Sequence, residues 1–354
     1  MLNYSFNELY LRSTLKESLK LIEGISFESI IYEAERIKTA SKDLYINKKD
    51  ILSRVDENGF NFYIKGKKYI ASDWAVNYIC SSYGIPKKYI SNAIHIARER
   101  KYKPLIALVN DTFNTFLNCP TRKESINKNN FDNGDSSSMY LVRVIGDKYI
   151  RAIRSSNFKV RDNYPLLLDI KDTVTRFYNM DSGFINHDIL IMRMYLKEKY
   201  CFSKEKISIG VQLKNSETGY YALQLQILIS IDGIEFVSEK ILDIRHNANK
   251  VSSVDINGYL KDIALRYKEN IFNAIKNTIK DNKINEDYYS KILPTLQKYL
   301  NKEDYEIVVK KSKRDRKIDV AKTILYCVRD YDFVRKEKIE NIIVKEILNL
   351  KVEI

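Results

Sequence analysis

The 354-residue chain is poor in residues that break or decorate structure: 5 Pro, 11 Gly, 3 His, 4 Cys and 1 Trp. So little Pro and Gly argues against long disordered linkers and against a repeat array. No run of about 18 apolar residues occurs, so no membrane span is expected. The opening stretch, MLNYSFNELYLRSTLKESLK, lacks a continuous apolar segment, so no secretory signal is expected either. Cys80, Cys119, Cys201 and Cys327 lie far apart, with no CxxC pair and no Cys/His spacing suited to zinc. They read as buried, reduced thiols of a cytoplasmic protein. No cofactor and no metal is expected, and no residue is assigned a catalytic role.

What the chain has in excess is positive charge. Its 60 Lys and Arg against 46 Asp and Glu give a formal +14. A chain this cationic is drawn to polyanions, of which nucleic acid is the commonest in a cytosol. The competing explanation is lysine-rich coding from an AT-rich genome. Tyrosine is also plentiful, at 26. Tyrosine interleaved with lysine, as in YLKEKY at 195–200, suits stacking on unpaired bases as well as ordinary packing.

Periodicity supplies the architecture. Ile207, Ile209, Val211 and Leu213 alternate with polar neighbours, and Tyr221, Leu223, Leu225, Ile227 and Ile229 do the same. Between the runs lies the polar turn 215–219, so 207–230 reads as a β-hairpin with one buried face. Shorter hairpins are expected across Lys65-Gly66 and Gly146-Asp147, with further strands at 188–196 and 234–244. Helices are expected at 7–41, broken at Gly24. They are also expected at 73–83, capped by Ser72 and closed by Gly84, at 86–100 opened by Pro86, and at 163–180. The stretch 118–138 is polar and dense in turn formers, and reads as an exposed loop. After about Val254 the spacing turns helical throughout. The fold class is therefore α+β: a mainly antiparallel sheet built from hairpins with flanking helices, plus an all-helical C-terminal part. The expected division is 1–253 and 254–354. Two short helices around Gly84 also admit a helix-turn-helix reading.

Three segments in order resemble the phage/plasmid-like family catalogued as domain of unknown function 932. They are SDWAVNYICSSYGIPKKYIS at 72–91, YIRAIRSSNFKVRDNYPLL at 149–167 and GVQLKNSETG at 210–219. The first carries Gly84, Ile85, Pro86 and Tyr89. The second carries Arg151, Ala152, Ser155, Asp162 and Asn163, with Phe158 in an aromatic position. The third is similar to an Asn-Ser-Glu-x-Gly turn. IRHNANK at 244–250 is a weaker fourth match. The resemblance spans residues 70–250 and departs at 230–239, SIDGIEFVSE, where the family often shows Arg-x-x-Cys-x-Asn-Gly. It implies a mobile-element origin and a cytoplasmic location, and lends no catalytic residues.

Two residue sets carry the functional expectation. The nucleic-acid contacts are Arg151, Arg154, Phe158, Lys159 and Arg161, with Lys310, Lys311, Lys313 and Arg314 as a second basic cluster. Against this stands a hairpin edge merely protected by charge. The candidate polar site is Asp162, Asn163, Asn215, Ser216, Glu217 and His246, with turn geometry as the alternative for 215–217. His95 is expected to pack inward on its helix. The leading expectation is a nucleic-acid-binding accessory protein of a phage or plasmid, acting on single-stranded DNA in replication, recombination or strand annealing. The alternatives are a metal-assisted hydrolase or nuclease using Asp162, Glu217 and His246, and a non-catalytic host-defence antagonist. Oligomeric state stays open, homo-oligomer included.

Overall fold

A computed structural model describes residues 21–56, 59–100, 102–118, 139–246, 253–280, 286–312 and 316–348. The chain divides into two compact units. The first comprises Glu33–Val160 with Glu217–Tyr220; the second comprises Arg161–Ser216, Tyr221–Ile354 and the described part of Leu15–Tyr32. In chain order the elements begin with β1 (Ile22–Glu23), α1 (Phe27–Ala40), β2 (Ser41–Asn47), β3 (Ile51–Asp56), β4 (Gly59–Ile64) and β5 (Lys67–Ala71). There follow α2 (Asp73–Tyr83), α3 (Lys87–Arg100), α4 (Lys103–Asn118), β6 (Met139–Ile145) and β7 (Tyr149–Ser155). Then come α5 (Asn163–Phe177), β8 (Tyr178–Ile185), β9 (Ile189–Leu196), β10 (Tyr200–Phe202), β11 (Glu205–Ser216), β12 (Leu223–Ile231) and β13 (Ile234–Ile244). The C-terminal helices are α6 (Ile256–Asp262), α7 (Lys268–Lys280), α8 (Glu286–Gln297), α9 (Lys302–Ser312), α10 (Lys317–Cys327) and α11 (Phe333–Ile342). The fold class is α+β, as the hairpin periodicity indicates.

The first unit is a six-stranded sheet in the order β2-β6-β7-β5-β4-β3. Its pairings are antiparallel among the described residues, except that β5 runs parallel to β7. Alternation puts Phe60, Phe62 and Ile64 of β4 and Tyr140, Val142 and Val144 of β6 into one core with Val76 and Ile79 of α2 and Phe113 and Leu117 of α4. Phe60 meets Phe62 and Phe113 edge-on, at 4.9 and 4.8 Å between centroids. The expected turns form: Lys65 and Gly66 join β4 to β5 with φ of 49° and 79°, the left-handed pair that a two-residue hairpin loop needs. Ser72 caps α2 by accepting from the Ala75 amide at 3.1 Å, and Gly84 closes it at φ 70°.

An edge strand leaves backbone groups open, and β3 is such an edge. Two asparagines one helical turn apart on α4 close it. Asn114 accepts from the Ser53 amide at 2.8 Å and returns its own amide to the Ser53 carbonyl at 3.1 Å. Asn110 accepts from the Val55 amide at 2.5 Å and donates to the Val55 carbonyl at 3.3 Å. Each side-chain amide thus stands in for a peptide group of a missing strand. This helix, and strands β1, β2, β3, β8 and β10, lie outside the expected elements; β1 falls where a helix is expected. The expected helix at 163–180 is shorter, because Tyr178–Met180 already pairs with β9.

The second unit holds the sheet β1-β8-β9-β11-β12-β13, with β10 on β11, together with the helices from Ile256 onward. The long hairpin is present, with Val211 opposite Ile227 and Leu213 opposite Leu225. Gly210 sits where a Cβ would fall 2.2 Å from the Met194 carbonyl oxygen, so no larger residue fits that close approach of β9.

The polar face of the hairpin does not meet water: every residue of β12 is buried, as are Gln212 and Lys214. Helix α11 packs on β13 and brings carboxylates to that face. Arg193 ion-pairs with Glu235 at 2.9 Å and with Glu340 at 3.2 Å, and its Nε donates to Gln212 at 2.7 Å. Lys214 pairs with Glu337, and Tyr195 donates to Glu235 at 2.6 Å. Burial pushes the Lys214 ammonium below its ordinary value, against the pull of Glu337. Burial raises the Glu340 carboxyl despite Arg193 and Lys336, and raises Asp181, with the Glu235 charge adding to it.

Among the described residues no helix is long and apolar enough to cross a membrane. Cys80 is buried as expected, but Cys201 is exposed and Cys327 half-buried; Cys119 lies outside the described residues. His95 does not pack inward: it is exposed and lies 3.2 Å from Glu99 one turn along α3. The expected helix before residue 21 and the expected loop at 119–138 also lie outside the described residues.

Candidate nucleic-acid interface

The turn 215–219 is split between the two units, and its tip, Glu217–Tyr220, counts with the first. There the tip is held by donors from β6, β7 and α2. Arg151 donates to the Glu217 carboxylate at 2.7 Å, and Arg143 to the Glu217 carbonyl at 2.6 Å. The Thr218 carbonyl accepts from Trp74 Nε1 at 3.0 Å and from Arg154 Nε at 2.6 Å. Arg143 is also paired with Asp43 on β2 at 2.8 Å. Gly219 is obligatory twice over: its φ is +77°, and a Cβ there would lie 2.7 Å from both the Arg154 guanidinium and the Phe158 ring.

This arrangement re-assigns part of the expected basic string. Arg151 is 0% exposed and committed to Glu217, which is 1% exposed. A guanidinium so placed cannot reach an external phosphate, and its role is to neutralise a buried carboxylate. Arg154 is half-buried, with its guanidinium carbon 5.0, 4.9 and 5.3 Å from the ring centroids of Trp74, Tyr78 and Phe158. Phe158 therefore packs on an arginine. Lys159 is exposed, whereas Arg161 is mostly buried, beside Asp169 and the Val254 carbonyl. Trp74 and Tyr78 have structural roles here that their helical spacing did not reveal.

The exposed charge of the first unit collects elsewhere, at the end of its sheet that carries two hairpin turns. Lys42 Nζ lies 3.1 Å from the Asp147 carboxylate, and Lys67 Nζ lies 3.9 Å from it. Lys67 stands over the Tyr69 ring at 5.4 Å, and Lys148 over Tyr149 at 5.2 Å. Lys65 and Lys68 are exposed beside them. The hydrogen bond from Lys42, then the charges of Lys42 and Lys67, hold the Asp147 carboxyl below its usual range. Lys42, Lys65, Lys67, Lys68 and Lys148 are all exposed there, and exposed ammonium groups gathered in one place favour an anionic ligand such as phosphate.

The remaining candidates belong to the second unit. Asn215 donates to Asn163 and to the Arg161 carbonyl, both at 2.8 Å, fixing the start of α5. Asp162 occupies the N-cap position of α5 without a side-chain capping bond, Ser216 ends β11, and His246 is buried. Structure thus brings together Asn163, Asn215 and Arg161, while Glu217 is taken up by Arg151. Lys310 is exposed on α9; the Lys311 side chain and residues Lys313 and Arg314 lie outside what is described. Among the described residues no group of three or more His, Cys, Asp or Glu is placed to hold a metal ion. Compared with protein-family models, curated proteins and solved structures, the chain gives no match.

Proposed function

We propose that this chain binds nucleic acid, single-stranded DNA in the first instance, as a cytoplasmic accessory protein of a phage or plasmid. The observation that carries the reading is the uneven distribution of charge. Glu33–Val160 with Glu217–Tyr220 holds 23 Lys and Arg against 14 Asp and Glu, so well under half the chain contains most of the excess. Arg143 and Arg151 are buried in internal pairs, whereas the lysines around Asp147 are exposed. Rings beneath Lys67 and Lys148 keep those ammonium groups above apolar surface, where desolvation costs them less. The likeness of residues 72–91, 149–167 and 210–219 to the phage and plasmid family supports a setting in which replication, recombination or annealing intermediates are the ligand.

Anisotropy of a labelled single-stranded oligonucleotide over a salt series tests this. Affinity should fall linearly with salt on logarithmic axes, by about 0.7 in slope per phosphate contact. Lys67→Glu combined with Lys148→Glu should weaken binding well beyond Lys310→Glu. No binding at low salt would sink the proposal.

A further inference from the structure

The second unit carries its own arrangement of rings and lysines. On β10, Tyr200 and Phe202 lie two apart and so share a face. Opposite them, Phe272, Lys276 and Lys280 recur every fourth residue along α7, forming one stripe. Tyr200 stacks on Phe272 with centroids 4.6 Å apart and planes at 26°. Lys276 stands 5.8 Å from the Phe202 centroid and 5.7 Å from that of Phe272; Lys280 stands 5.7 Å from Phe202.

Two acids lie nearby, and both face the Tyr200 hydroxyl: Glu198, which is bonded to Lys268 at 2.6 Å and accepts from Tyr200 at 3.2 Å, and Glu269. Neither Lys276 nor Lys280 meets a carboxylate among the described residues. Both rings and lysines are within reach of solvent: Phe202, Phe272 and Lys276 are half-buried, and Lys280 is exposed. Two lysines attached about 6 Å apart along a helix, with their ammonium groups over half-open aromatic rings, match a backbone of successive phosphates whose bases stack. A folded acidic protein would satisfy the lysines and leave the rings unused.

We infer that the β10–α7 face is a second contact for single-stranded nucleic acid, made by Lys276 and Lys280 on phosphates and by Phe202 on a base. The inference rests on the proposed function and adds a site in the other unit.

Oligonucleotide binding is compared for the wild type, Lys276→Glu/Lys280→Glu, Phe202→Ala and Lys67→Glu/Lys148→Glu, with circular dichroism confirming that each is folded. The α7 double variant should lose at least tenfold in affinity and lower the salt slope by about 1.4. Phe202→Ala should lose about 5- to 150-fold with an unchanged salt slope. Ultraviolet cross-linking of a bromodeoxyuridine oligonucleotide to the wild type should label the peptide containing Phe202, a result that does not depend on any variant folding. Wild-type affinity and slope in the α7 variant, with binding lost in the Lys67/Lys148 variant, would overturn this inference and leave the first reading standing. Failure of the wild type to bind would overturn both.

Discussion

Each unit buries two cations on a sheet face, and the two solutions differ. In the first, Arg143 and Arg151 meet Asp43 and Glu217, one acid to one base, and leftover donor capacity goes to a backbone carbonyl. In the second, Arg193 and Lys214 face Asp181, Glu235, Glu337 and Glu340, so acids outnumber bases. In the second cluster burial, with the charge of Glu235 adding to it, raises the Glu340 and Asp181 carboxyls above their ordinary values. The first cluster fixes a turn; the second seats a helix on a sheet.

Breaking the balanced pair should cost most. Glu217→Ala leaves Arg151 buried without its carboxylate and should destabilise the protein by about 3–5 kcal/mol in urea unfolding. Arg151→Met combined with Glu217→Leu should recover most of that loss, because no charge is then stranded. If the double variant unfolds as readily as the single one, the pair does more than neutralise.

The unbalanced set should respond more weakly. Glu337→Gln removes the charge facing Lys214 but keeps an acceptor, and should cost about 2 kcal/mol at neutral pH. As an uncharged control, Asn114→Ala should cost about 1–2 kcal/mol by baring the Ser53 amide and carbonyl, and should promote concentration-dependent association seen in sedimentation.

Glu340→Gln should change least, and only with pH. The folded carboxyl is raised above its ordinary value of 4.5, so the stability it contributes is complete below that value. It is lost as pH rises through the folded value. Urea midpoints measured from pH 4 upward should therefore agree at the acidic end and diverge above it, with the variant falling less steeply. Parallel curves would show that folding does not raise the Glu340 carboxyl.

Much of the architecture was legible because it rests on local chemistry. Strict alternation marked β11 and β12, the Lys65-Gly66 and Gly146-Asp147 pairs marked turns, and Ser72 and Gly84 marked the ends of α2. Strands β2 and β3 were not legible, since Lys42, Asp43 and Asn47 dilute one and Ser53 and Arg54 the other. The site was less legible than the fold. Arg151 and Glu217 are 66 residues apart, and nothing in either segment says that one neutralises the other. The alternation of Gln212, Lys214, Gln224 and Gln226 reads as a wet face, yet Glu337 of α11, more than a hundred residues on, meets Gln212 and Lys214 there. The lysines about Asp147 come from β2, β5 and the β6–β7 turn, and their gathering is a product of strand order.

The asparagine bridge from α4 to β3 has a geometric limit built into it. Four residues of helix advance about 6.0 Å, whereas two residues of strand advance about 6.7 Å. The two repeats agree closely enough for one step and drift with each further one, while the strand also twists away from a straight axis. A helix can impersonate a neighbouring strand only across a pair of rungs, so a longer exposed β3 would outrun its cover.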